Sequence, residues 1–159
     1  MEKFQGCPGS RMMNFKNTGE SNAAPAVGKI TSQLTQWPIQ MHLINPAAPY
    51  YQRADVLLTA DCVAYALGDF HRGYLKDRSI AIACPKLDQG QDIYLEKIKA
   101  WIDEAKINTL TVLIMQVPCC MGLLNLAQQA ADASQRKVPT KYVVVGVQGE
   151  ILQEEWIAA

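Results

Sequence analysis

Five short apolar runs, separated by helix-like segments, constrain the fold of this chain more than any other feature. Each run is apolar almost throughout rather than alternating between apolar and polar residues. That pattern is typical of strands covered on both faces, as in parallel sheets. The predicted strands are residues 39–44, 55–59, 79–84, 110–117 and 141–147.

Helical patterns fill the spaces between these strands. Residues 92–107 carry apolar side chains at helical spacing, and residues 121–135 form a second stripe of leucine and alanine. Residues 63–75 are a weaker helix, interrupted by two glycines. The alternation predicts an α/β fold with a single doubly wound, mainly parallel five-stranded sheet and helices on both faces. A turn at Gln148–Gly149 predicts an antiparallel edge strand at the C-terminus.

The first part of the chain differs in composition from the rest. Residues 17–28 are rich in Gly, Asn, Ser, Ala and Pro, which is typical of a loop or linker. We therefore divide the 159-residue chain in two. Residues 1–31 form a Cys-Pro-Gly segment with a flexible linker, and residues 32–159 form the α/β domain.

Charge and hydropathy argue against several classes of function. The 15 Lys and Arg residues balance the 15 Asp and Glu residues, so there is no basic excess of the kind that binds nucleic acid. No stretch approaches the roughly 18–20 apolar residues of a membrane span, and the first residues lack the apolar segment of a signal peptide. We expect a cytoplasmic protein that binds neither nucleic acid nor membranes. Association into a homo-oligomer stays open.

The cysteines are the residues that suggest chemistry. Cys62, Cys84 and the pair Cys119–Cys120 each follow or end a predicted strand. Because the carboxyl ends of parallel strands share one edge of a sheet, we expect these four side chains to converge there. A helix amino terminus stabilises a nearby thiolate, which is then a better metal ligand or nucleophile. Cys7 could fold over the same edge as a further ligand.

Alternatives remain for each of these residues. Free cysteines also pack as small apolar core residues, so a purely structural role stays open. Asp61, beside Cys62, either orients a ligand or caps a helix. His71 is a ligand, a proton carrier or a packing residue. We place Asp61 and His71 in the shell around a cysteine site, and we assign no catalytic residue. The chain has no local metal signature, dinucleotide fingerprint or phosphate-binding loop.

Five blocks of the sequence, taken together, resemble a known family. They are CPGSRMMNF, SQLTQWPIQMHLINPAAPYY, ADVLLTADCVAYALGDFH, IACPKLD and VPCCMGL. They are similar to the carboxy-terminal region of ferredoxin-type [4Fe-4S] iron–sulfur proteins of anaerobic bacteria and archaea. This chain carries no upstream ferredoxin cluster motif. The resemblance matches the family's Cys-Pro-Gly, Asp-Cys, Cys-Pro-Lys-Leu-Asp and Pro-Cys-Cys elements to the five cysteines.

These observations lead to three expected functions. The first is an iron–sulfur or other thiolate-metal redox protein that exchanges electrons with a partner such as a ferredoxin. Its cluster, or alternatively a zinc ion, would be held by cysteines. These ligands would be Cys7, Cys62, Cys84, Cys119 and Cys120. The second is a thiol redox enzyme in which Cys119 and Cys120 form a vicinal disulfide, or one of them acts as a nucleophile. The third is a binding domain without chemistry.

Overall fold

The computed structural model describes residues 8–16 and 28–157 of the chain. A short antiparallel pair of strands precedes a larger sheet. The pair is β1 (Met13–Asn14) and β2 (Gln36–Trp37). The strands of the larger sheet are β3 (Asp55–Ala60), β4 (Ser79–Ala83), β5 (Thr109–Met115), β6 (Thr140–Val145) and β7 (Ile151–Ile157).

Helices connect the parallel strands of the larger sheet. They are α1 (Val63–Ala66), α2 (Gln91–Asp103) and α3 (Met121–Ala133). A π-helical turn, Phe70–Leu75, follows α1. Short 3-10 turns cover Pro8–Ser10, Pro49–Tyr51 and Pro118–Cys120. In the described part of the chain, no helix is long and apolar enough to cross a membrane.

The larger sheet confirms the predicted α/β class. Its strand order among the described residues is β4-β3-β5-β6-β7, with β3 to β6 parallel and β7 antiparallel. The chain moves from β3 to β4 in one direction and from β4 to β5 in the other. Since crossovers are right-handed, α1 and the π-helical turn lie on one face and α2 and α3 on the opposite face. The crevice between β3 and β5 is therefore the topological switch point.

Both helices and the C-terminal hairpin were predicted correctly. The buried face of α2 carries Tyr94, Ile98, Trp101 and Ile102, and α3 packs against α2 on the same side of the sheet. The hairpin turn between β6 and β7 is closed by a hydrogen bond from the Gly149 N–H to the Gly146 carbonyl. Gly149 has a φ of +89°, a conformation that favours glycine.

The predicted strand at residues 39–44 is wrong. Gln40 alone forms a bridge, to Ile82 of β4. The chain then folds into a turn, in which the N–H groups of Leu43 and Ile44 donate to the Gln40 carbonyl. Leu43 is exposed as a result, so the apolar run 39–44 does not bury both faces as a central strand does. The fifth strand of the sheet is β7.

The outer edge of β4 is covered at Ile80 by a buried glutamine side chain, next to the backbone bridge between Gln40 and Ile82. The Gln36 side chain accepts the Ile80 N–H at 2.9 Å and donates to the Ile80 carbonyl at 3.0 Å. The Tyr51 hydroxyl donates to the same carbonyl. Gln36 thus replaces a neighbouring strand at the point where an edge would otherwise be open to association.

The described part of the N-terminal segment is attached to the same region. Met13 and Asn14 pair with Trp37 and Gln36, and the Trp37 indole N–H donates to the Gly9 carbonyl. Residues 8–16 therefore pack against the α/β domain along the sequence that covers β4.

Replacing Gln36 with Met tests this edge. The variant leaves the buried Ile80 N–H without its acceptor, so we expect the free energy of unfolding to fall by about 1–3 kcal/mol. Urea denaturation measures it. Gln129→Met is the matched control, because Gln129 is exposed on α3. Equal stability of the two variants would show that Gln36 does not protect the edge.

Candidate cysteine site at the carboxyl edge

The cysteines lie at the carboxyl edge of the sheet, on both sides of the switch point. Cys62 follows β3 by two residues and Cys84 directly follows β4. Cys119 and Cys120 lie in the 3-10 turn between β5 and α3. The structure thus places four of the predicted residues on one edge. Cys7 lies outside the described residues.

Strand register aligns the segment containing Cys62 with the one containing Cys84. Ala60 of β3 pairs with Ala83 of β4, and the Asp61 N–H donates to the Ala83 carbonyl at 3.1 Å. The ladder therefore continues one residue beyond the strand. Cys62 and Cys84 leave the sheet from adjacent strand ends, which parallel pairing holds about 5 Å apart.

The Cys119–Cys120 pair is asymmetric. Cys119 is exposed, whereas Cys120 is buried with 6% of its surface accessible. Burial raises the pKa of the Cys120 thiol, and the neighbouring thiols of Cys119 and Cys62 raise it further, whereas a hydrogen bond with the Met115 backbone opposes them. Cys119 and Cys120 are adjacent in the chain, and interaction with the Cys119 side chain adds to the rise. Cys120 is therefore held in its protonated form.

A close approach of two loops joins the pair to Cys84. Gly122, in the first turn of α3, lies so near Pro85 that a Cβ atom there would be 3.1 Å from the proline Cβ. A larger residue at position 122 would push the loop after β4 away from α3. The glycine therefore allows the loops after β4 and β5 to touch.

Asp88 and Tyr94 fix the loop that carries Cys84. The Asp88 carboxylate accepts the Cys84 N–H at 2.9 Å and the Tyr94 hydroxyl at 2.6 Å. The Asp88 N–H in turn donates to the Cys84 carbonyl. Burial, followed by the hydrogen bond to Asp88, raises the pKa of Tyr94. The tyrosine therefore remains a neutral donor to the carboxylate.

Asp61 lies between these loops as a poorly satisfied carboxyl group. Its Oδ1 atom is buried and has no hydrogen-bond partner among the described residues. Burial raises the pKa of Asp61, and the negative charge of Asp88 adds to this rise. The alternative that Asp61 caps a helix gains no support, since the N-cap of α1 is Cys62 and makes no side-chain cap hydrogen bond within the described structure.

The two histidines make hydrogen bonds with backbone groups. His71 lies in the π-helical turn, where its Nδ1 atom accepts the Gln33 N–H at 3.1 Å. His42 contacts the Gln89 carbonyl through Nε2 at 2.7 Å and packs against Tyr94. Neither contact involves a cysteine, and the place of His71 around a cysteine site stays a prediction.

The cysteines suit a metal centre by their chemistry but not by their placement. Thiolates are the ligands that iron–sulfur clusters and zinc select. However, across residues 8–16 and 28–157, no three His, Cys, Asp or Glu side chains are arranged to hold a metal ion. The donor chemistry therefore fits such a centre, but the arrangement of the described side chains does not.

Asp88 and Tyr94 were missed as part of the site by the sequence analysis. Tyr94 lies within the helix predicted at residues 92–107, and a side-chain hydroxyl leaves no periodic signal. Asp88 ends the motif CPKLD, four residues after Cys84. That spacing in a tight loop is the signal that could have indicated an Asp side chain accepting a backbone N–H.

Comparison with known proteins places this fold in a family. The family model of the Rossmann-like domain matches residues 48–158, which is more than half of the chain. The chain belongs to the Rossmann-like domain family. An uncharacterized protein from the archaeon Archaeoglobus fulgidus is 27% identical over 119 residues, which cover 75% of this chain and 83% of the relative. No solved structure matches significantly. Neither description names an iron–sulfur cluster, so the resemblance to ferredoxin-type proteins stays a prediction.

This Rossmann-like domain lacks the glycine-rich turn by which such folds bind dinucleotides. The turn after β3 reads Ala60-Asp61-Cys62 and leads into a helix of four residues. Glycines in that turn let the backbone approach a pyrophosphate, which then sits on the helix amino terminus. An acidic residue and a thiol occupy the position instead. This turn therefore presents a thiol and a carboxyl group at the sheet edge.

Replacing Asp61 with Asn tests the environment of this carboxyl group through pH. Because the folded state raises its pKa, native Asp61 binds more protons than the unfolded chain, and stability falls as pH rises above the unfolded value of 3.8. Asn does not titrate. We expect the variant to gain stability relative to the native protein from about pH 4 upward, until Asp61 ionises in the folded state. Urea denaturation between pH 4 and 7 measures the difference in free energy of unfolding between the variant and the native protein. A difference that stays constant over this range would mean that folding does not raise the pKa of Asp61.

Proposed function

We propose that the protein is a thiol redox protein whose reacting pair is Cys119 and Cys120. The observation that supports this proposal is the adjacency of an exposed thiol and a buried, protonated one at the edge of the sheet where open α/β folds bind ligands. An accessible sulfur can attack a disulfide, and a shielded neighbour can resolve the product.

The reaction is a two-electron exchange with a disulfide of a partner molecule. The Cys119 thiolate attacks one partner sulfur, the partner disulfide breaks, and one partner thiolate leaves and takes up a proton. The Cys120 thiol then loses its proton and attacks the Cys119 sulfur of the mixed disulfide, which releases the second partner thiol. The pair ends oxidised to a disulfide, and the partner ends reduced to a dithiol.

Adjacency of the two cysteines sets the direction of this equilibrium. Their Cα atoms are fixed about 3.8 Å apart by a trans peptide bond, below the usual 4.4–6.8 Å of disulfides. A strained disulfide is more easily reduced. The resting state is therefore the dithiol, and the partner disulfide must be a strong oxidant.

Exposed apolar side chains surround the carboxyl edge of the sheet, which carries the cysteines. They support a protein as the partner. Tyr65 of α1 is 94% exposed and Leu87 of the loop after β4 is 79% exposed. Met121, beside the pair, and Val147, after β6, are also exposed. Large apolar side chains gathered around a reactive edge mark interaction sites. A redox protein docked there would bring its own disulfide to Cys119.

Reaction with an aromatic disulfide reagent tests whether Cys119 attacks and Cys120 resolves. We use a background in which Cys7, Cys62 and Cys84 are Ser, so that only the pair reacts. There, Cys119 should release one aryl thiolate and Cys120 should release the second, leaving no adduct. With Cys120→Ser added, one thiolate should be released and the adduct should remain on Cys119. Absorbance counts the thiolates and mass spectrometry detects the adduct.

The matched variant is Cys119→Ser in the same background. Its remaining Cys120 is buried, so reaction should be slower by an order of magnitude or more. Equal rates for the two single-cysteine proteins, or a lasting adduct when both cysteines are present, would contradict the proposed roles.

A thiolate-metal centre is the second candidate. Cys62 and Cys84 favour it, since a disulfide pair does not need them, and they leave the same edge from adjacent strands. If this candidate holds, protein purified without oxygen should contain iron and acid-labile sulfide in near-equal amounts, or stoichiometric zinc. Cys84→Ser should lower that content sharply while the fold survives. Metal content that does not change in this variant would reject the candidate.

A further inference from the structure

The two edges of the larger sheet differ in how they are covered. At the β4 edge, the Gln36 side chain hydrogen-bonds with the Ile80 backbone, and Gln40 adds a backbone bridge beside it. At the opposite edge, within the part of the chain that the structure describes, β7 pairs with β6 alone. The outer N–H and carbonyl groups of β7 are therefore open to a further strand.

β7 is a long edge strand with exposed apolar side chains. It has seven residues, whereas the mean strand has about 5–6. Ile151, Leu152 and Trp156 are all exposed. Proline and lysine are common devices that protect an open edge from association, and β7 contains neither. Apolar side chains on such an edge indicate a surface that another chain covers.

The sequence of β7 is chemically symmetric about its central residue. Read from either end, ILQEEWI runs through two apolar residues and one polar residue to Glu154. Two copies related by a two-fold axis at Glu154 pair antiparallel, so residues at equal distances from the centre face each other. These pairs are Ile151 with Ile157, Leu152 with Trp156, and Gln153 with Glu155. Apolar side chains thus face apolar ones, and an amide donor faces a carboxylate.

Lys141 of β6 offsets the charge of the central glutamates. The axis places Glu154 opposite its own copy, and like charges in that position are unfavourable. In each chain, however, Lys141 forms an ion pair with Glu154. Two lysines and two glutamates together form a neutral group across four strands. The Lys141 Nζ atom also lies 5.6 Å from the centre of the Trp156 ring, which favours an ordered position of the ring that would face Leu152.

We propose that two copies of this chain associate through β7, so that their five-stranded sheets join into one continuous sheet. The two β7 strands run antiparallel about an axis at Glu154 and hydrogen-bond along their outer edges. Since the axis reverses the strand direction, the carboxyl edges of the two sheets, with their cysteines, lie at opposite ends of the dimer. The proposal does not depend on the thiol reaction.

Sedimentation equilibrium tests the association. The native chain should approach twice its mass of 17.6 kDa as the concentration rises. Leu152→Lys removes the Leu152–Trp156 pair on both sides of the axis and adds charge at the edge. The dissociation constant of the dimer should therefore rise by about tenfold or more.

The matched control is Leu43→Lys. Leu43 is 47% exposed and Leu152 is 46% exposed, but Leu43 lies in the turn after Gln40, beside the β4 edge. This variant should leave the dissociation constant unchanged. Circular dichroism checks that both variants keep the native fold.

A disulfide at the axis tests the register. In a background in which all five cysteines are Ser, Glu154→Cys places two thiols opposite each other in the dimer. The Cα atoms of such a pair are about 4.5–5.5 Å apart, within the usual range for disulfides. Mild oxidation should convert this variant to a covalent dimer on non-reducing electrophoresis. Gln129→Cys, exposed on α3, should stay a single chain.

Three results would overturn the inference. A native chain that stays monomeric at every concentration would leave the edge to a strand of a different protein. A dimer with an unchanged dissociation constant in Leu152→Lys would use another surface. A dimer in which Glu154→Cys fails to cross-link would contradict the axis at Glu154. None of these outcomes bears on the Cys119–Cys120 reaction.

Discussion

Parallel pairing of β3 with both β4 and β5 is the constraint on which the rest of the structure depends. It aligns three strand ends at one edge and makes the gap between β3 and β5 a switch point, because the chain leaves the two strands toward opposite faces. Every cysteine of the described edge comes after one of these three strands. On the outer side of β4, the Gln36 side chain hydrogen-bonds with the Ile80 backbone.

Within this Rossmann-like frame, the turn after β3 carries a carboxyl group and a thiol where dinucleotide-binding folds carry glycines. The short α1 and the Asp61–Cys62 turn replace the glycine turn and long helix that bind a pyrophosphate. The loop after β5 contributes two adjacent thiols, one exposed and one buried. In the proposed function, strand ends of the kind that position a nucleotide in other folds of this type position a reacting sulfur instead.

The parallel strands and the edge position of their cysteines were predictable, because unbroken apolar runs indicate buried strands and each cysteine lies at or just after the end of one. The strand predicted at residues 39–44 was wrong. An apolar run beside a sheet edge resembles a strand in sequence, although only Gln40 makes a bridge. The asymmetry of Cys119 and Cys120 could not be predicted, because adjacent residues share one sequence context and differ only in packing. Asp88 and Tyr94 join the site through hydrogen bonds across a loop, which periodicity does not report.

The most direct measurement is peptide mass mapping of the native protein, purified without oxygen and then treated with one equivalent of the thiol oxidant diamide. The account predicts that the peptide carrying Cys119 and Cys120 loses two hydrogen atoms, whereas those carrying Cys62 and Cys84 keep free thiols. A disulfide that joins Cys62 or Cys84 to another cysteine, with the 119–120 peptide unchanged, would contradict it.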